Sequence, residues 1–306
     1  MNKLEANISL FIITFFASIQ YIFLASIPSS VSTFAFLAVT NLIGFLIALA
    51  LFWSELFRLD RKQILQSVIL SAELVVMNVF LLLGSSGMRE SVISCVVCVY
   101  FVFIPPLSMI FLKEKYDRFA LLGTAVALAG VLLITNQGIA GLWNVHVLYL
   151  VLFDVVFAAY LITVGTITVK SNPSILVMGQ MFFSAIFSLA LWAAEAFLKH
   201  APMTLPADPK FWGAVLFISF FIRGLYGVVQ LYAQRYVSAL NTSLIFASEI
   251  VITMAVSPII SPLLGTEAEP FTLLKLMGAV LVVCGILLAD STVVSKLKRR
   301  PAHEKD

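Results

Sequence analysis

Charge is what this chain has least of. Only 11% of its 306 residues are Asp, Glu, Lys or Arg, against about 25% in a soluble domain. A soluble fold built from it would lack the polar surface to cover itself. The net charge is +3 and comes from loops and a basic tail, so no nucleic-acid partner is expected. Three cysteines cannot make a disulfide scaffold. The three histidines, His146, His200 and His303, stand far apart, and there is no HExxH, GxSxG or P-loop. No enzyme, cofactor or metal site is therefore expected, and without an ATPase motif any transport would run on a gradient. Cys95 and Cys98 form a CxxC, but one turn of an apolar helix suits packing better than redox or zinc chemistry. What the chain has is apolar length: 61% hydrophobic residues and a mean hydropathy of +1.05. Those values describe an integral membrane protein.

A membrane-crossing helix needs roughly 20 mostly apolar residues. Reading between charges and turn residues gives ten such segments, near 8–27, 33–57, 64–84, 91–112, 118–135, 145–169, 173–198, 210–233, 238–264 and 271–290. They lack strict alternation and exceed a barrel strand, so the expected class is all-α. The first segment is longer than a signal-peptide core and is read as a retained helix. With the N-terminus placed inside, fourteen Lys and Arg fall in inner segments (Lys3, Arg58, Arg61, Lys62, Lys113, Lys115, Arg118, Lys170, Arg235, Lys296, Lys298, Arg299, Arg300, Lys305). Four fall outside: Arg89, Lys199, Lys210 and Lys275. That bias predicts both termini in the cytoplasm and an even number of spans. Trp53, Trp143, Trp192 and Trp212 fall at expected helix ends, the depth an indole prefers.

The chain also repeats itself. EKYDRFALLGTAVALAGVLLIT from Glu114 aligns with EPFTLLKLMGAVLVVCGILLAD from Glu269 at a constant offset of 155. Gly123 meets Gly278, Gly130 meets Gly285, and Leu132 and Leu133 meet Leu287 and Leu288. Two five-helix halves follow, residues 1–137 and 138–306. Five is odd, so the second half is inverted, an arrangement that recurs in secondary transporters. With "FLKEK" closing helix 4 ahead of a glycine-rich helix 5 at 111–130, and a looser "LLGTEAEP" at 263–270, the chain resembles the drug/metabolite transporter superfamily and its EamA-type members over about residues 8–290. The resemblance implies alternating access of two halves around a cavity lined by helices 1, 3, 4, 6, 8 and 9. It brings no catalytic motif.

Four ionisable residues stand near the middle of separate spans. Glu73 lies ten residues past Gln63, Asp154 ten past Asn144, Arg223 thirteen past Lys210 and Glu249 eleven past Ser238. At 1.5 Å per residue each is about 15–20 Å deep, half the hydrocarbon core. A charge there costs roughly 2.5–3.5 kcal/mol on insertion scales, so such residues pair or face a cavity. Two readings stay open. Arg223 could neutralise one carboxylate and lock two helices, or the group could meet substrate and protons. Three acids against one Arg exceed simple pairing, so one carboxyl must carry a proton or face water.

Neutral polar residues on the same helices are pocket candidates: Gln20 and Tyr21 in helix 1, Asn78 in helix 3, Tyr100 in helix 4, Tyr160 in helix 6, and Tyr226 and Gln230 in helix 8. The last two share a helical face with Arg223; interhelical hydrogen bonding is the competing role for each. Pro105 and Pro106 in helix 4, and Pro258 and Pro262 in helix 9, bend repeat-mate helices, as gates or as static kinks. Gly123, Gly130, Gly278 and Gly285 are expected to serve close packing. The expected function is gradient-driven transport of small polar metabolites, chiefly amino acids or related zwitterionic and cationic amines, with an excess carboxylate available for proton coupling. A lipid flippase or scramblase, and less so a membrane-embedded enzyme, are the alternatives. The expected partners are a small-molecule substrate and membrane lipid, as monomer or homodimer, in a bacterial inner membrane. The tail KLKRRPAHEKD would rest on anionic inner lipid.

Overall fold

The computed structural model describes residues 1–25, 27, 31–86, 88, 93, 96–113, 118–135, 144–200, 202–264 and 272–289. The tail, Arg89, Cys95, Glu114, Lys115, Trp143 and Glu269 lie outside the described residues. What is described is a helical membrane protein. Among the described residues, seven helices are long and apolar enough to cross a bilayer. They are α1 (Lys3–Ala25), α2 (Thr33–Arg58, ending in a 3₁₀ turn), α3 (Arg61–Ser85), α6 (Val145–Thr168), α7 (Pro173–Leu198), α8 (Pro209–Ala233) and α9 (Ala239–Leu264). Three shorter apolar helices stand where spans 4, 5 and 10 were expected: α4 (Tyr100–Phe111), α5 (Arg118–Thr135) and α10 (Leu273–Ala289).

Short polar residues start these helices. Asp60 accepts from the Gln63 backbone N–H at 2.6 Å while the Gln63 amide oxygen accepts from the Asp60 N–H at 3.0 Å. That reciprocal cap satisfies two donors that α3 would otherwise leave orphaned. Asn172 and Asp208 cap α7 and α8, each followed by a proline in the first turn, where the missing N–H costs nothing. For α3, α7 and α8 these caps fall within a few residues of the starts expected at 64, 173 and 210, whereas α4 begins at Tyr100, nine residues past the expected start.

The longest shared interface is between α5 and α10; α3 with α6 and α2 with α7 follow. Glycines make the first possible. A Cβ on Gly130 would sit 2.6 Å from the Gly278 carbonyl oxygen, and one on Gly285 would sit 2.5 Å from the Gly123 carbonyl oxygen and the Ala127 nitrogen. The two backbones therefore touch, the gain small residues give in lipid. Large apolar side chains such as Phe11, Leu65, Leu216 and Ile259 point outward, as lipid contact requires.

Two helices depart from straight α geometry. The sequence suggests an uninterrupted α-helix over 210–233, but Ile218–Tyr226 winds as a π-helix; such wide turns cluster at functional sites. In α9 a turn at Ala247–Ser248 separates Ala239–Phe246 from Glu249–Ile260. α4 begins the same way. Val99 N–H bonds the Val96 carbonyl and Val102 N–H the Val99 carbonyl, just as Ser248 N–H bonds Ile245 and Val251 N–H bonds Ser248. The tight turn falls immediately before Tyr100 in one helix and Glu249 in the other.

Because backbone atoms, not flexible side chains, stand against these glycines, Gly130→Ala and Gly285→Ala should each destabilise the detergent-solubilised protein by about 1–3 kcal/mol. Gly165→Ala, with nothing within 4 Å of the added Cβ, should be neutral or stabilise by up to about 1 kcal/mol. Thermal melting of the three variants checks the contrast.

Candidate functional site

A cavity of about 50 Å³ lies between α1, α3, α6, α7, α8 and α9, well above the 10–15 Å³ that one water needs. Eight of the eleven polar or charged residues singled out from the sequence line it: Gln20, Tyr21, Asn78, Tyr160, Arg223, Tyr226, Gln230 and Glu249.

Arg223 defines one end. Its residue is 6% exposed, and α8 carries it close against α2: a Cβ on Gly44 would lie 2.5 Å from the Arg223 Cβ. Nη2 donates to Asn78 Oδ1 at 2.9 Å, and Asn78 is held in turn by donating to the Leu74 carbonyl at 2.7 Å. Nε has no partner. Among the described residues no carboxylate lies within 4.0 Å of the guanidinium. The internal ion pair is therefore not formed, and a five-donor fork faces the cavity with one bond made.

Glu249 defines the other end. It is 3% exposed and accepts from the Tyr21 hydroxyl at 2.6 Å, a length typical of a charge-assisted bond. It sits in the first turn after the break in α9, where the helix dipole favours a negative charge. The Tyr226 and Tyr100 hydroxyls are within electrostatic reach. Phe153, Phe157, Met77, Met181 and Ile222 also line the cavity, an apolar wall of the kind that surrounds the few polar groups of a small-molecule site.

One residue escaped the sequence reading. Gln180 of α7 lines the cavity, fully buried, and donates from Nε2 to the Tyr160 hydroxyl at 2.8 Å, while its Oε1 has no partner. The signal was available, a lone Gln in an apolar run like Gln20. But the resemblance implied a lining without helix 7, and the cavity takes Met181 from it as well. Among the described residues, helix 4 contributes none to this lining.

Three candidates stand apart from the lining. Tyr100 is buried, its ring 4.7 Å from Phe157, its hydroxyl donating to the Ser243 carbonyl at 3.4 Å. Asp154 is 0% exposed; its carboxylate faces the Tyr100 backbone N–H at the start of α4 without reaching hydrogen-bond geometry. Glu73 is half-buried between α3 and α6 and accepts from Thr163 Oγ1 at 2.9 Å. Pro105 and Pro106 lie inside α4, Pro258 inside α9 and Pro262 in its last turn; none lines the cavity. No group of three or more His, Cys, Asp or Glu among the described residues could hold a metal.

A larger cavity, about 340 Å³, lies where α2 begins and α7 ends, beside residues 202–206. Its charges are satisfied: Lys199 pairs with Glu195 at 2.7 Å and Ser32 donates to Glu195. Size favours this cavity, but unmet hydrogen-bonding capacity favours the central one, and in lipid unmet capacity is the more costly feature.

A helical membrane protein with a small, polar-ended cavity halfway along its spans has the form of a transporter. Residues 4–136 and 146–289 both match the EamA-like transporter family, and the chain belongs to that family, within the drug/metabolite transporter superfamily. It is 28% identical over 216 residues to an uncharacterized transporter of Archaeoglobus fulgidus, covering 70% of this chain and 72% of that one. A solved protein structure superposes with a TM-score of 0.75 over 98% of this chain and 100% of its own at 15% identity, which speaks for the fold alone.

Two stability measurements test the ends of the site. Arg223→Met removes a buried cation with one hydrogen bond and should leave the melting temperature unchanged or higher, because desolvation outweighs what is lost. Tyr21→Phe takes a donor from a buried carboxylate and should cost about 1.5–3 kcal/mol.

Proposed function

We propose that this transporter is a secondary, gradient-driven carrier of small polar metabolites, with amino acids and related zwitterionic or cationic amines as its substrate class. The observation that carries the proposal is the pairing of unlike, separated charges on one cavity: Arg223 without an acidic partner, and Glu249 held by Tyr21 alone. A guanidinium fork matches a carboxylate in two parallel bonds, and a carboxylate matches an ammonium. A sugar phosphate would call for more cations than the single one among the described lining residues.

Movement follows from the halves, residues 1–137 and 138–306, rocking about the cavity in alternating access. The matched turns ahead of Tyr100 and Glu249, with prolines further along both helices, support α4 and α9 as the elements that bend. A proton is the simplest coupling ion for a site with surplus carboxyls. The charge bias supports a bacterial inner membrane with both termini cytoplasmic.

Uptake by liposomes reconstituted with the full chain tests the substrate class. Labelled amino acids or amines should accumulate, and Arg223→Met and Glu249→Gln should each slow uptake by about 10–100-fold, the effect of one charge-assisted hydrogen bond. Movement of sugar phosphates, with no amino acid or amine carried, would overturn the assignment.

A further inference from the structure

Glu73 belongs to the midplane group in depth but not to the cavity. It is the central residue of α3, twelve residues from either end, so about 18 Å from each. Ile69 and Val76, one turn before and after it, are 41% and 44% exposed on the outer face. The carboxyl therefore lies at the edge of the α3–α6 seam, beside the lipid. Its Oε2 is buried without a partner, and among the described residues no cation lies within 4.0 Å of it.

The bonding around Thr163 points to what such a group can hold. Thr163 Oγ1 is 2.9 Å from Glu73 Oε1 and 3.0 Å from the Ala159 carbonyl oxygen. A hydroxyl has one proton to donate. Beside an ionised Glu73 it can satisfy one of these acceptors. Beside the neutral acid both contacts close: the carboxyl O–H donates to Thr163, and Thr163 donates to Ala159. The neutral form also avoids an uncompensated charge against hydrocarbon.

We propose that Glu73 is a proton-binding site set in the lipid-facing seam of α3 and α6, separate from the substrate cavity. Among the described titratable groups of α1, α2, α6 and α7, the helices packed on α3, Tyr160 stands nearest along α6, one turn before Thr163. Tyr160 lines the cavity and accepts from Gln180 Nε2. Helix α6 thus borders the cavity through Tyr160 and Glu73 through Thr163. That this proton drives transport rests on the carrier reading above; the site itself does not.

A lipid-soluble carbodiimide tests the site without any substrate. A protonated carboxyl adds to the reagent, its oxygen bonding to the central carbon and its proton passing to nitrogen, and the product rearranges to a stable N-acylurea with nothing leaving. The full chain in liposomes is treated with dicyclohexylcarbodiimide at about pH 6 and about pH 9, a span wide enough to take the proton from a carboxyl beside hydrocarbon, and the adduct is mapped by mass spectrometry. The expected result is an adduct on Glu73, lost at the higher pH and absent with a water-soluble carbodiimide. Glu73→Gln should lose that adduct and no other. An adduct confined to Glu249 or Asp154, equal labelling by the water-soluble reagent, or labelling indifferent to pH overturns the proposal. The mapping is done on the unaltered chain, so it decides the question even if the variant misfolds, and it is independent of the uptake measurement.

Discussion

A guanidinium inside a hydrocarbon slab has few ways to be tolerated, and the centre of this molecule is arranged around one. The cost of an isolated charge at that depth is several kcal/mol, and a neighbouring carboxylate would be the direct remedy. Arg223 has none among the described residues. It has instead an amide oxygen from Asn78, a position braced against Gly44, and an opening onto the cavity. Water in that space is the remedy left. The cavity is thus a condition of burying Arg223 at all, and a ligand that brings an anion into it replaces a weak solvent with a matched partner.

The same constraint explains what could be read from the sequence. Spans are legible because every backbone group in lipid must bond internally, so apolar length maps onto helix; caps such as Asp60 and Asn172 then mark where helices begin. Midplane charges are legible because they are costly and few. What a linear reading cannot give is azimuth. Glu73, Asp154 and Glu249 sit at similar depth, yet one borders lipid, one meets the start of α4 and one opens on the cavity. The spacing of Arg223, Tyr226 and Gln230 implied one shared face on an α-helix; all three do line the cavity, but Arg223 and Tyr226 do so from a π-helical stretch that no local pattern announced, and Gln230 from the α-helical turns that follow it. Gln180 was overlooked for another reason: as a lone amide in an apolar run it carried the same signal as Gln20, but the resemblance implied a lining without helix 7.

α4 and α9 show how one device can serve two ends. The same tight turn stands at the start of α4 and within α9, closed in each by backbone bonds, and a helix start at that depth favours a negative group nearby. In α9 an acid of the helix itself, Glu249, occupies the first turn. In α4 the corresponding first residue is Tyr100, and the acid comes from α6 as Asp154. A carboxylate at a helix start is favoured by the dipole in both cases. Its presence there is accordingly no sign of ligand binding. What distinguishes Glu249 is its further surroundings: a tyrosine hydroxyl on one side and the cavity on the other. Asp154 is closed off at 0% exposure, behind Phe153 and Phe157, which take the cavity side of α6. Removing its charge should therefore disturb where α4 begins before it disturbs what the cavity holds. Depth in the membrane selects residues that need a reason to be there, and the packing around each one decides whether that reason is architecture or chemistry.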